Sequence, residues 1–282
     1  MATSNTLYRG KVRDCYWRED WGAIVTTDRI SAFDQVFPQL IPRKGEVLQA
    51  LAVHFLQLAQ SILPTHLLEV PDPNVMIVRR TKPLPVEFVV RGYLTGSAWR
   101  DYQAGLLEEH YNIHLPRGMT EHQPLDTPLI TPTTKEESGH DQPISCQKAA
   151  SIIDADWSEV EAVLLALYQQ GSAWALAHHL TLADCKYELG LYQGKLMLID
   201  ELHTPDSSRY WAQDHYQLSK EFFRQWLLEQ GATGIIDIPP HIVQEISQRY
   251  LHLHQLLLDR PLPPSAPPED RIRATLQQRG LL

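Results

Sequence analysis

The sequence predicts an α+β fold, and the order of elements along the chain indicates this class. Residues 7 to 30 read as twisted antiparallel strands, because apolar residues alternate or run together around a turn at Glu19 and Asp20. Strands that come first and are followed by a mixture of strands and helices are typical of α+β proteins. With 282 residues and 43% apolar composition, the chain can form one large domain or two lobes with a hydrophobic core.

The helices, strands and loops after residue 44 are predicted from the spacing of apolar residues and from the positions of prolines. Gly45 to Leu63 has apolar residues at helical spacing and is followed by Pro64. The proline-containing residues 81–85 are interpreted as a stiff connection between lobes. Residues 115–145 contain several prolines and are predicted to be a loop. Strands are also predicted at 75–80 and 88–94, helices at 96–102, 158–180, 217–229 and 240–258, and a proline-rich tail without a chemical role after residue 259.

Composition narrows the class of protein. The formal net charge of −9 argues against non-specific binding to nucleic acid. No run of about 18 apolar residues is present, so no membrane partner is expected, and the first residues lack the apolar core of a secretory signal. Three cysteines without metal-like spacing are typical of reduced thiols. We therefore expect a cytoplasmic protein, a monomer or small homo-oligomer, that acts on small molecules.

The stretch from Ala183 to Trp211 carries the strongest chemical signal. Asp184, Lys186 and Glu188 recur at every second residue, so on a strand all three lie on one face. A row of carboxylate, ammonium and carboxylate is more than a half-buried strand requires. The alternative is a solvated hairpin face with alternating charges.

The chain after Glu188 is predicted to turn and to return as a second strand that ends at Asp200. A three-residue loop at residues 193–195 would set Glu188 across from Asp200. Any other odd loop length also keeps the two carboxylates on one face, whereas an even length separates them. Two converging carboxylates beside a lysine suit a magnesium ion that carries a phosphate.

The polar turn after this hairpin, from Thr204 to Trp211, adds donors for an anion. Turn chemistry accounts for Thr-Pro-Asp-Ser, but it does not account for Arg209 beside the hydroxyls of Ser207 and Ser208. Such a group suits a phosphate or carboxylate held by several donors at once.

Two N-terminal motifs are suggestive but weaker. In YRGKVRD, Gly10 with Lys11 and Arg13 could lie over a polyphosphate, although a plain basic hairpin is an alternative and no P-loop pattern is present. In DRISAFD, Ser31 and Asp34 follow an apolar strand, and a helix cap or Asx-turn explains them equally simply.

Two central motifs also carry polar groups in loops. RGYLTGSAW places Arg91 at a strand end and Ser97 at a helix start, which is a natural seat for an anion or a simple cap. TPTTKEESGHD brings Lys135, several carboxylates and His140 into one loop. A single histidine in such a loop is typical of a hydrogen-bonded surface residue.

Taken together, the motifs YRGKVRD, TDRISAFD, VVRGYLTGSAW, TPTTKEESGHD, LADCKYELG and DELHTPDSSRYW occur in one order. This set resembles the SAICAR synthetase family, from about residue 7 to about residue 258. The resemblance implies an ATP-dependent C–N ligase of purine biosynthesis. Such an enzyme joins L-aspartate to the carboxylate of carboxyaminoimidazole ribonucleotide (CAIR) and yields SAICAR, ADP and phosphate, with an acyl phosphate as the expected intermediate.

The resemblance also implies an architecture. It predicts an N-terminal ATP-binding lobe (residues 1–84), reminiscent of kinases and ATP-grasp enzymes, packed on a larger α+β domain (residues 85–258). The tail, residues 259–282, lies outside the resemblance.

Roles follow from the resemblance residue by residue. It implies magnesium ligands at Glu188 and Asp200. The implied positions around the reacting groups are Asp184, Lys186 and Arg209. The implied ATP contacts are Gly10, Lys11, Arg13, Lys82 and Lys135. The implied contacts with the second substrate are Asp34, Arg91, Ser97, Ser208 and Arg209. Asp34 and Asp184 are candidates for removing the ammonium proton of aspartate, and solvent is a third.

Two other functions stay open on the residues alone. One is an ATP-grasp-like ligase or small-molecule kinase with a different acceptor. The other is a module that binds ATP without turning it over, against which the acidic pair and Lys186 argue.

Overall fold

The computed structural model describes residues 5–135 and 141–282. Its strands are Thr6–Arg9 (β1), Arg13–Trp17 (β2), Trp21–Thr26 (β3), Arg29–Ala32 (β4), Gln35–Leu40 (β5), Leu67–Asp72 (β6), Val75–Arg79 (β7), Lys82–Tyr93 (β8), Pro124–Thr134 (β9), Thr181–Tyr192 (β10), Lys195–Ile199 (β11) and Ser208–Trp211 (β12). Its helices are Lys44–Ala59 (α1), Gly96–Ala104 (α2), Leu107–Tyr111 (α3), Cys146–Ile152 (α4), Trp157–Ala177 (α5), Glu221–Glu229 (α6), Pro240–Leu258 (α7) and Pro268–Gln278 (α8). The predicted α+β class is confirmed.

The N-terminal sheet has the antiparallel order β1-β2-β3-β7-β6. Its central strands β3 and β7 are continuous apolar runs, which indicates that both faces of the sheet are covered. Ile24 and Met76 face the main core, to which helix α1 contributes. The neighbouring residues Ala23 and Val75 face a second, smaller core on the other side of the sheet.

The C-terminal tail completes this second core. Leu276 and Leu281 are buried against the sheet, with 1% and 3% of their surface exposed. Arg271 of α8 forms ion pairs with Glu46 of α1, at 2.9 Å, and with Asp72 of β6. The tail therefore packs on the N-terminal sheet, which its proline-rich sequence did not predict.

Replacing Leu276 by Ala is expected to lower the free energy of unfolding by about 2 to 4 kcal/mol, because a fully buried leucine leaves a cavity. Chemical denaturation measures this change. The matched control is Leu282→Ala, since Leu282 lies in the same tail with 59% of its surface exposed. Equal stability of the two variants would contradict the packing role of the tail.

The second sheet has the order β11-β10-β8-β9, with β12 also paired to β10. Helix α5 packs on strands β10 and β8. The predicted stiff connection at residues 81–85 is wrong for most of its length, because Lys82 to Pro85 begin the twelve-residue strand β8. Here β8 pairs with β10 alone, since its pairing with β9 starts only at Val86. Proline has no N–H to donate, so it is tolerated where one side of a strand is unpaired.

The loop predicted for residues 115–145 is wrong for residues 124–134, which form the eleven-residue strand β9. This strand lies at the edge of its sheet. Its prolines, at positions 124, 128 and 132, are four residues apart and therefore share one side of the strand. An edge strand accepts proline on its outward side, because no neighbouring carbonyl needs the missing N–H group.

The β4–β5 hairpin stands apart from both sheets as a two-stranded unit. Its tip residues Phe33 and Asp34 have φ angles of 50° and 62°. Left-handed backbone at two successive residues is typical of the tight hairpin turn that matches strand twist. The turn carries Asp34 towards the β1–β2 loop, where its carboxylate forms an ion pair with Lys11.

Candidate active site

The hairpin β10–β11 has a loop of even length, one of the cases that the sequence left open. Tyr192 pairs with Lys195, so only Gln193 and Gly194 form the loop, with φ angles of 52° and 76°. Glu188 consequently lies opposite Ile199, not opposite Asp200 as a three-residue loop would have placed it. On a regular ribbon this even-length loop would send the carboxylates of Glu188 and Asp200 to opposite faces.

A left-handed residue brings the two carboxylates together again. Strand β11 ends at Ile199, and Asp200 has a φ angle of 63°, which breaks the alternation of side chains. Asp200 and Glu188 consequently line the same cavity. The ring of His66 forms a hydrogen bond of 3.2 Å with the carbonyl oxygen of Asp200. Burial lowers the pKa of His66 to about 4, so this ring is neutral and supports the turn without adding charge.

The cavity has a volume of about 700 Å³ and lies between the N-terminal hairpins and the second sheet. Ten of the residues selected from the sequence line it: Gly10, Lys11, Arg13, Asp34, Ser97, Lys135, Lys186, Glu188, Asp200 and Arg209. Segments far apart in the sequence thus meet at one site, as their shared chemistry predicted.

One end of the cavity, here called the carboxylate end, is organised around Lys186. Its ammonium group contacts Glu188, lies 3.2 Å from Glu87 Oε1 and 3.8 Å from Asp200 Oδ2. Burial alone would raise the pKa of the Glu188 carboxyl, but Lys186 and Lys135 hold it well below its usual range. Burial raises the pKa of Glu87, and the charge of Glu188 adds to this while Lys186 opposes it. Glu188 is therefore a carboxylate ready to hold a cation.

Arg13 connects the β1–β2 loop to this end. Its Nη1 lies 2.6 Å from Asp200 Oδ1, and its Nη2 forms an ion pair with Glu201. The side chain is 12% exposed, whereas that of Lys11 is 51% exposed and pairs with Asp34. The guanidinium fork of Arg13 thus fixes two carboxylates, while Lys11 remains accessible from the open side of the cavity.

The opposite end, here called the arginine end, is built on Asp184. This carboxylate is 2% exposed, and its Oδ2 lies 2.9 Å from Arg91 Nη1 and 2.5 Å from Arg209 Nη1. Arg91 also donates to Ser97 Oγ at 2.9 Å. Arg209 donates through Nε to Glu221 Oε2 at 3.0 Å. Both guanidinium groups are therefore held in fixed orientations, with Arg209 and Ser97 on the cavity wall.

Four of the selected residues do not line the cavity. Arg91 and Asp184 lie behind its wall and act through Arg209 and Ser97. Ser208 is buried, with 5% of its surface exposed. Lys82 lies on the outer surface, where it forms an ion pair with Asp154 at 2.6 Å. The implied contacts of Ser208 and Lys82 with ligands stay predictions, and residues 136–140, including His140, lie outside the described residues.

Several charged residues of the cavity were not selected from the sequence. They include Glu87, Arg100, Glu201, Asp206, Lys220, Glu221 and Arg224. Glu87 carried a usable signal, because it is four residues before Arg91 on a strand and so shares its face. Lys220 and Arg224 are spaced four apart at the start of α6, a spacing that places both on one side of a helix.

The sequence predicted a magnesium site, and the carboxylates of the cavity fit such a site only in part through protein ligands. Among the residues that the structure describes, no cluster of three or more His, Cys, Asp or Glu side chains is arranged to hold a metal ion. Magnesium, however, is commonly held by one or two carboxylates together with phosphate oxygens and water. Glu188 and Asp200 offer two such carboxylates on one wall, so the residues fit a magnesium ion that arrives with ATP.

Comparison with known proteins identifies the family. The family model described as SAICAR synthetase matches residues 6–237. The chain belongs to the SAICAR synthetase family. This match confirms the family resemblance and includes both ends of the cavity.

Relatives and solved structures of this family agree over most of the chain. A phosphoribosylaminoimidazole-succinocarboxamide synthase of Cytophaga hutchinsonii is 42% identical and covers 94% of this chain and 92% of its own length. The enzyme of the same name from Bacteroides thetaiotaomicron is also 42% identical, over 89% of this chain and 86% of its own. A SAICAR synthase from Saccharomyces cerevisiae, solved with SAICAR, has a TM-score of 0.80 at 28% identity and covers 92% of this chain and 96% of its own. The SAICAR synthetase fold is thereby confirmed.

None of the helices in residues 5–135 and 141–282 combines the length and apolar character that a membrane span requires.

Proposed function

We propose that this chain joins L-aspartate to the carboxylate of CAIR in an ATP-dependent reaction that yields SAICAR, ADP and phosphate. The observation that carries the proposal is the match of the SAICAR synthetase family over residues 6–237. The named relatives, 42% identical over most of this chain, support the same activity. The reaction belongs to purine biosynthesis.

The cavity supports this reaction because it joins two differently charged ends. The carboxylate end, with Glu188, Asp200 and Lys186, suits a metal-bound triphosphate. The arginine end, with Arg209 and Ser97, suits the phosphate or carboxylate of a second, anionic substrate. A carboxylate acceptor bound between the two ends would lie next to the terminal phosphate of ATP.

Magnesium is proposed to be held by Glu188 and Asp200, and when bound it neutralises charge on the transferred phosphoryl group. The electrostatics of the two carboxylates favour this. Burial raises the pKa of Asp200, Arg13 opposes that, and the nearby charge of Glu188 raises it further. Two carboxylates that repel each other in a buried site are stabilised by a cation.

The proposed mechanism proceeds through an acyl phosphate. The terminal phosphoryl group of ATP moves to the CAIR carboxylate, and the amine of aspartate then displaces phosphate. Lys11 and Lys135 are proposed to bind phosphate oxygens, since both line the cavity near the carboxylate end. Arg209, fixed by Asp184 and Glu221, is proposed to orient the ribonucleotide. Fixing both reactants in this way converts a bimolecular encounter into an intramolecular step.

The reaction is tested by measuring ADP release with each substrate omitted in turn. Full activity is expected only when ATP, CAIR, L-aspartate and a magnesium salt are all present, because the acyl phosphate needs both an acceptor and a nucleophile. ADP release that is independent of CAIR and aspartate, or that requires a different acid, would instead support a ligase or kinase with another acceptor.

A further inference from the structure

The buried carboxylate of Asp206, at the wall of the cavity, forms ion pairs with two lysines. Lys44 Nζ lies 2.9 Å from Asp206 Oδ2, and Lys220 Nζ lies 3.6 Å from the same oxygen. Tyr250 donates its hydroxyl to the other oxygen, Oδ1, at 2.7 Å. The side chain of Asp206 is only 2% exposed. One negative charge is therefore shared between two lysine side chains in a site with little water.

The two lysines are not equivalent. Lys44, at the start of α1, is fully buried, makes the shorter contact and does not line the cavity. Lys220, just before α6, makes the longer contact, is 12% exposed and lines the cavity. Arg224 follows Lys220 by one helical turn and adds a further positive charge. Lys220 is thus the amine of the pair that is more loosely held and that faces the cavity.

The charged groups around Lys220 come from three segments, namely α1, α6 and the loop between β11 and β12. Burial lowers its pKa to about 8; Asp206 opposes this, Arg224 and Lys44 add to it, and Glu201 opposes it. Glu201 forms an ion pair with Arg13 of the carboxylate end, whereas Arg224 lies 3.2 Å from Glu221, which also holds Arg209 of the arginine end. Lys220 therefore lies where the two ends of the cavity meet, which is where the activated carboxylate would be attacked.

Two carboxylates at the arginine end, those of Glu221 and Asp184, are poor alternatives as proton acceptors. Burial raises the pKa of Glu221, but Arg209 and Arg224 together bring it below its usual range. Asp184 is held between two guanidinium groups and does not line the cavity. The lowered pKa of Glu221 opposes transfer of a proton to it from an ammonium group.

We propose that neutral Lys220 accepts a proton from the α-ammonium group of L-aspartate, an inference that rests on the ligase function proposed above. The transfer gives the ammonium form of Lys220 and a free amine. The lone pair of that amine forms the C–N bond to the acyl carbon, and the C–O bond to phosphate breaks with its electron pair leaving on phosphate. The second amine proton then passes to water, and the amide is formed. Asp206 and Lys44 are positioning residues that hold Lys220 and set its charge.

Two variants of Lys220 separate proton transfer from anchoring. Lys220→Arg keeps the positive charge and the contact with Asp206 but cannot deprotonate. Lys220→Met removes the amine and leaves Asp206 paired with Lys44. Both variants are expected to lower kcat/KM for aspartate by about a hundredfold or more, the usual contribution of a general base. Small primary amines added to Lys220→Met should restore part of the rate. Near-normal activity of Lys220→Arg would overturn the proposal.

The Lys44→Met variant should shift the pH dependence of kcat/KM in a direction that only titration of Lys220 would produce. Removing Lys44 leaves Asp206 with Lys220 alone, so the pKa of Lys220 should rise. In the wild type, kcat/KM for aspartate should fall below about pH 8, where Lys220 becomes protonated. In folded Lys44→Met, that fall should begin at a higher pH. An unshifted profile would contradict the proposal.

Hydroxylamine distinguishes failure of this proposal from failure of the proposed function. It is weakly basic and therefore neutral at working pH, so it needs no proton acceptor to trap an acyl phosphate as a hydroxamate. With ATP and CAIR, Lys220→Met should form hydroxamate at close to the wild-type rate while its reaction with aspartate is lost. Equal loss of both reactions in a folded variant would overturn the role of Lys220. Absence of ADP release in the wild type with CAIR and aspartate would instead refute the ligase function.

Discussion

Replacing Glu188 by Gln is expected to lower kcat by about a hundredfold to a thousandfold, the size of effect seen when one group that stabilises transition-state charge is removed. The amide keeps the shape of the side chain but removes the charge that Lys186 and Lys135 neutralise and that magnesium would need. The fold should persist, because Glu188 lies on a cavity wall rather than in the apolar core. Steady-state ADP release at saturating substrates measures the loss.

The matched control for this substitution is Glu69→Gln. Glu69 lies on strand β6, its side chain is 49% exposed, and it pairs with Arg279 of the tail, outside the cavity. The control should keep normal turnover, since an exposed ion pair contributes little. Binding of Mn²⁺ as a substitute ion, followed by calorimetry, gives a second readout. Wild-type turnover in Glu188→Gln would contradict the metal assignment at the carboxylate end.

Replacing Gly96 by Ala is expected to disable the arginine end. Gly96 has a φ angle of 61°, and a Cβ placed there would overlap the guanidinium group of Arg209. The left-handed backbone alone costs about 1 to 2 kcal/mol with a side chain. The overlap would also push Arg209 away from Asp184, and misplacing a substrate-orienting group by about 1 Å can cost about a hundredfold in rate. Kinetics and thermal unfolding together measure the two effects.

Gly105→Ala provides the control that carries backbone strain alone. Gly105 ends helix α2 with a φ angle of 74°, but a Cβ there would meet no other atom within 4 Å. Both variants should therefore lose similar stability, while only Gly96→Ala should lose activity and affinity for the ribonucleotide. Equal activity of the two variants would show that the position of Arg209 does not matter for the reaction.

Local sequence patterns predicted most helices and hairpins well. Helix α7 was predicted with its exact bounds, because its apolar spacing is regular and a proline opens it. Helix α1 was predicted one residue late at its start and four residues too long at its end. Strand β9 was missed because its prolines outweighed every other signal. Only the sheet order shows that β9 is an edge strand, where proline is tolerated.

The site was predictable in its residue types but less so in its geometry. Because side chains alternate between the two faces of a hairpin, the two-residue loop alone would have placed Glu188 and Asp200 on opposite faces. The left-handed conformation of Asp200 overrides that alternation, and His66, from a distant segment, forms a hydrogen bond with the Asp200 carbonyl oxygen. Aspartate tolerates the left-handed conformation better than most residues, but the neighbouring residues in the sequence do not predict that Asp200 adopts it.

By itself, the sequence determined the family, the α+β class and ten of the side chains or glycines that line the cavity. These features depend on residue identity and local periodicity, which are present in the chain before it folds. The tertiary structure alone decided how those charges are shared. Asp184 lies behind the cavity wall between two arginines. Lys44 and Lys220 both pair with the carboxylate of Asp206. The tail packs on the N-terminal sheet. Such pairings join segments far apart in the sequence, and each depends on burial that only the packed chain provides.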